Sequence, residues 1–224
     1  MKDLCLQYNN FIVNKEFNVK RDYFEKGISY ERQMNYDFAI HMYKKVLSID
    51  KFHLEAKERL YHIYSNTNKI DKAKEIISEL LKYNNAEYIG YHYKFNSLME
   101  EGNLKEAKTL LAKSNDIFRN MESFKLDYIT YLMITGSYKE ANKIVSSIEK
   151  SNCYYGTFNI RKVLILLAMG KKEEANSLLF SREIYDNENV IVNEMISLVA
   201  SKNIDVKSTI NHINRLEENI EMSV

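Results

Sequence analysis

The sequence predicts an all-α chain of stacked helix hairpins, and three observations predict it. Ala39, Ala73, Ala107, Ala141 and Ala175 stand 34 residues apart, and a fixed period of that size marks an array of repeated units. Five positions before them stand Met34, Asn68, Gly102, Gly136 and Gly170, and Gly or Asn suits a helix end that enters the left-handed region. Around each alanine the apolar residues recur at helical spacing, as in Tyr23, Gly27 and Tyr30 and then Ala39, Tyr43 and Val46.

Taken in order, residues 3–15, with Leu4, Tyr8, Phe11 and Ile12, form an N-terminal helix packed on the first unit, and segment 1–19 precedes the repeats. Residues 20–53 are the first of five units that run to 189. Each is a helix, a tight turn and an antiparallel helix, with the alanine where two helices cross so closely that a larger side chain would push the axes apart. Asn35, Asn103 and Ser137 are expected to cap the second helices. Ser137 with Glu140 reads as a capping box, and Asn103 with Glu106 resembles one. Residues 190–224 hold a degenerate sixth unit, read as a cap over 190–219, in which Ser197, Ala200, Val206, Thr209, Ile213 and Leu216 continue the register. A terminal unit has one face without a neighbour and is expected to be atypical.

This pattern resembles the tetratricopeptide repeat, a 34-residue helical hairpin. The family's small residue at position 8 is Gly27, its tyrosine at position 11 is Tyr30 and Tyr64, its glycine at position 15 is Gly102, Gly136 and Gly170, and position 20 holds the five alanines. Position 24 is Tyr43, Ile77, Leu111, Val145 and Leu179. The resemblance implies a right-handed superhelical solenoid over residues 20–189. Position 8 departs from the pattern as Tyr61, Phe95, Ile129 and Val163, and position 27 departs as Ser114 and Arg182, which implies looser joints. No proline stands near position 32, since the chain has none.

Composition excludes several classes. The 32 Lys and Arg against 31 Asp and Glu leave a net charge of +1, and neither sign runs for five residues, unlike the basic footprint of a nucleic-acid binder. No stretch approaches 18 apolar residues, so neither a membrane span nor a leader is expected. Cys5 and Cys153 lie far apart in the array, and a reducing, cytoplasmic setting is expected. No phosphate loop, HExxH or CxxC is present. Only His62 and His92 of the five histidines share a side of adjacent units, a poor metal site. No nucleophile and base pair up, so neither an enzyme nor a cofactor is expected. The 17 tyrosines, among them Tyr88, Tyr91, Tyr93, Tyr154 and Tyr155, are read mostly as packing.

In the family the first helix of each hairpin lines a concave groove through positions 2, 5, 9 and 12. Carried across, the resemblance implies a protein- or peptide-binding groove of Phe24, Ile28, Glu58, His62, His92, Asn96, Met99, Leu126, Thr130, Met133, Arg161 and Leu164, with Ile160 and Leu167 beside them. It is polar at the second and third units and apolar beyond, which suits an amphipathic helix or an aliphatic extended peptide. Cover over Leu164 and Leu167 by the C-terminal helices is an equal alternative. The carboxylate clamp of chaperone adaptors is not reproduced: its places hold Phe24, Ile28, Arg59, Ile89 and Tyr93, and Asp127 stands where an amide belongs although Asn96 and Arg161 match. The expected role is a non-catalytic adaptor. The alternatives are a sensor of a short signalling peptide and a subunit that self-associates through its terminal helices.

Overall fold

The computed structural model describes residues 2–83, 87–148, 155–181, 205 and 208–213, with side chains from Phe17 onward and Tyr155 excepted. The described residues are helical with short turns and no strand. Two compact units divide the chain, 1–94 and 95–224. The first holds α1 (Lys2–Arg32), α2 (Tyr36–Ile49), α3 (Leu54–Asn66), α4 (Ile70–Tyr83) and the start of α5 (Ile89–Glu100). The second holds the rest of α5, then α6 (Leu104–Phe118), α7 (Glu122–Ile134), α8 (Tyr138–Ser146), α9 (Tyr155–Ala168) and α10 (Lys172–Leu179).

The expected N-terminal helix does not stand apart. It runs without a break into the first helix of the first unit, as the 31 residues of α1. No proline or glycine interrupts the chain before Gly27, so nothing local ends the helix there.

The five turns within hairpins among the described residues are built alike. Met34 and Asn68 have φ of 56°, and Gly102, Gly136 and Gly170 have φ of 72°, 77° and 76°. The next amide reaches back five residues in each case, from Asn35 to Tyr30, Lys69 to Tyr64, Asn103 to Leu98, Ser137 to Leu132 and Lys171 to Leu166, at 2.8–2.9 Å. A left-handed residue closes this helix end, and Met34 holds it despite its Cβ.

The capping expectations hold in part. The Asn103 side chain accepts from the Glu106 amide, but Asn35 and Ser137 make no side-chain cap bond. The capping box at Ser137 does not form. Glu140 accepts a hydrogen bond of 3.0 Å from the Tyr128 hydroxyl on the neighbouring helix.

The register sets the core. Every repeat alanine is buried, as are Tyr43, Ile77, Leu111, Val145 and Leu179. Thr209 and Ile213, the sixth-unit counterparts, are buried too, while the rest of 190–219 lies outside the described residues apart from 205 and 208–213. Gly27 lies against Tyr43: a Cβ built on it would stand 2.5 Å from the ring. A small residue at position 8 thus answers a large one at position 24 in the first unit, while position 8 of the later units holds the larger Tyr61, Phe95, Ile129 and Val163, all buried.

Candidate functional site

In unit 1 the first helices of the hairpins, α1, α3 and the start of α5, carry the residues that the resemblance assigns to a ligand. Phe24, Ile28, Glu58, His62 and His92 are half-buried. Phe24 packs its ring 5.7 Å from Tyr43 and 5.1 Å from His53, so its place is fixed by the hairpin core. Two of the family clamp's places, Arg59 and Tyr93, are drawn into the same face.

A polar network holds this face. The Tyr43 hydroxyl donates to Glu31 at 2.6 Å, and the Arg59 guanidinium lies 3.7 Å from the other Glu31 oxygen. Burial first, then the hydrogen bond to Glu31, pushes the Tyr43 hydroxyl well above the usual phenol range. One unit along, the Tyr93 hydroxyl and His62 Nε2 stand 3.0 Å apart. Tyr93 stacks on Tyr61 with ring centres 3.9 Å apart and meets the His62 ring edge-on at 5.3 Å. The His92 ring lies 5.8 Å from Tyr93. Burial, then the charges of His92 and Arg59, lowers His62 to a pKa of about 4. At neutral pH it is an uncharged hydrogen-bonding group.

Glu31 was within reach of the sequence. It occupies position 12 of the first unit, a groove position, but the apolar residues beside it dominate the reading. The network between helices, by contrast, depends on side-chain reach that a register does not specify.

In unit 2 most of the other residues expected in the groove are buried. Met99, Thr130, Met133, Arg161 and Leu164 are 7%, 4%, 0%, 3% and 0% exposed, so they offer no open surface. Met133 and Leu164 belong to the cluster of buried residues that includes Ile160, Ile210 and Ile213, and half-buried Leu126 and Leu167 pack against it. Apolar side chains there are core, in one cluster with the C-terminal residues 210 and 213. Arg161 donates through Nη1 to the Thr157 carbonyl of its own helix at 3.3 Å. Asn96 remains half-buried.

Unit 2 also has a cleft that the register did not announce. It measures about 620 Å³ between α6 and the α7–α8 hairpin, with Leu111, Phe124, Tyr128, Tyr131, Lys108 and Glu140 among its walls. Ser114, which stands at position 27 in place of a larger apolar residue, is buried and bonded to the Leu110 carbonyl at 2.8 Å, and does not line that cleft.

Among the described residues no three His, Cys, Asp or Glu side chains converge as metal ligands would. No helix among them is long and apolar enough to cross a membrane.

No family model matches the sequence, and no curated protein does. Solved structures do match the fold. A thermophilic TPR protein of Thermus thermophilus superposes with a TM-score of 0.60 at 14% identity, over 80% of this chain and 97% of that one. PilF of Pseudomonas aeruginosa superposes with a TM-score of 0.59 at 12% identity, over 93% of this chain and 88% of that one. With the repeated hairpins and their left-handed turns, these likenesses give the fold as that of the tetratricopeptide-repeat solenoids.

Proposed function

We propose that this chain is a non-catalytic scaffold that holds a peptide or helix of another protein along the face of α1, α3 and the start of α5. The observation that carries the reading is the contrast between units. The first-helix face of unit 1 keeps Phe24, Ile28, Glu58, His62 and His92 half-buried, whereas Met99, Thr130, Met133, Arg161 and Leu164 of its counterpart in unit 2 are buried. The Glu31–Arg59 pair and the His62–Tyr93 contact fix side chains in advance, which lowers the entropy lost when a partner docks. Aromatic and aliphatic groups beside fixed polar ones match an amphipathic segment.

The chemistry favours holding over turnover. The His62 imidazole is spent on a tyrosine hydroxyl and stays neutral. A cytoplasmic setting fits the two cysteines, Cys5 and Cys153.

Selection from a displayed random-peptide library tests the reading. Selected peptides should bind the wild-type chain and lose about tenfold in affinity on Glu58→Lys or Ile28→Asp, with circular dichroism and melting temperature showing both variants folded. Peptides that bind both folded variants as tightly as wild type would refute it.

A further inference from the structure

We infer that the α2–α3 turn and the end of α4 form a second docking surface, distinct from the first-helix face, which takes an acidic peptide segment carrying an aromatic residue. Phe52 and Tyr83 are 48% and 46% exposed, and their rings meet edge to face at 5.8 Å. Large aromatic groups left half in water at the α2–α3 turn and at the end of α4, yet touching each other, form a small platform.

Ammonium groups ring that platform. Lys51 Nζ lies 4.8 Å from the Phe52 ring and 6.0 Å from Tyr83, while Lys82 Nζ lies 4.9 Å from Tyr83. Lys57, wholly buried, places its Nζ 5.5 Å from Tyr83 and 4.0 Å from Glu79. Lys51 and Lys82 are exposed and make no ion pair among the described residues; aromatic faces are their partners. The nearby Asp50 carboxylate is committed to Lys20 at 2.8 Å and to the Phe52 amide. Lys82, through a hydrogen bond and its charge, also draws the Tyr83 hydroxyl below the usual phenol range, which marks a locally positive field.

This chemistry selects the partner. A carboxylate between Lys51 and Lys82 would gain two charge-assisted hydrogen bonds, and an aromatic side chain next to it would extend the edge-to-face pair. A peptide is favoured over an anionic membrane because the whole chain carries only +1, too little for long-range attraction to a charged surface. The rings are also half-sunk and clasped by ammonium groups, not projecting as membrane wedges would.

Fluorescence anisotropy with a labelled peptide, Gly-Asp-Glu-Phe-Asp-Glu-Phe-Gly, and its amide analogue with Asn and Gln for the acids tests the inference. The acidic peptide should bind saturably and about tenfold more tightly than the analogue, more weakly as salt rises. The double variant Lys51→Glu, Lys82→Glu and the single variant Phe52→Ala should each weaken it several-fold with circular dichroism unchanged, whereas Glu58→Lys on the first-helix face should not. Equal binding of the amide analogue, or full binding by the double variant, overturns the inference. So does sedimentation with phosphatidylserine vesicles in the absence of peptide binding, which would make the surface a membrane contact.

Discussion

His62 carries the sharpest single-residue consequence of the fold. Its imidazole titrates at about 4 in the folded chain against 6.5 when unperturbed, because burial between Tyr61, Tyr93 and the first-helix face penalises the cation. Between those two values the unfolded chain binds the proton more readily, so acid favours unfolding. The stability that rests on neutral His62 is complete above pH 6.5 and lost as pH falls from there to the folded value, by about 3 kcal/mol at pH 4. Urea titrations at pH 7 and pH 4.5 should show this loss in the wild type and a smaller one in His62→Gln. Equal acid sensitivity in both would assign the effect to other groups. Little of this could be read in the sequence: the register brings His62 and His92 to one side of adjacent units, but does not specify the burial that depresses the pKa. Met34 is a converse case. Its place in the period alone shows that the backbone there must turn left-handed, and its φ of 56° follows.

At the scale of the hairpin, what the sequence shows best is where the backbone must do something unusual or where space is scarce. Turn positions and repeat alanines are of this kind, since no alternative partner can satisfy the helix end or widen the crossing. Caps are less legible because a side chain at the right place can be drawn elsewhere, as Glu140 is by Tyr128. Gly27 and Tyr43 form the clearest element-level pair. A methyl group at residue 27 would stand 2.5 Å from a ring that is fully buried and anchored by its hydroxyl to Glu31. The ring cannot swing away without breaking that bond, so Gly27→Ala should cost about 2 kcal/mol even though alanine is the better helix former. With Tyr43→Leu already in place, the alanine should cost far less, and a double-mutant cycle by thermal or urea unfolding should give a coupling of about 1 kcal/mol or more. Additive losses would mean that the close approach of α1 and α2 does not depend on this pair.

Across the whole molecule, burial is passed from each helix to its neighbours in sequence, with α1 on α2, α2 on α3 and α3 on α4 in unit 1, and α6 through α10 packed in succession in unit 2. The period reveals that logic, yet not which stretch of an apolar face is covered. Leu164 and Met133 look like groove residues by register and are core by structure, in one buried cluster with the chain-distant Ile210 and Ile213, and a cluster that takes in a remote segment has no local signature. The same logic sets how far damage spreads. Leu164→Ala removes a fully buried side chain from that cluster and should cost about 3 kcal/mol. In an array whose stability is a sum of nearest-neighbour terms, the loss concentrates in the helices that share the cavity. Amide exchange in the variant should quicken through α7 to α10 and stay near wild-type rates in α2 and α3, which share no buried cluster with Leu164. A uniform quickening from α1 to α10 would show instead that the chain unfolds as one cooperative block, and the scaffold would then have to transmit any change at one face to all the others.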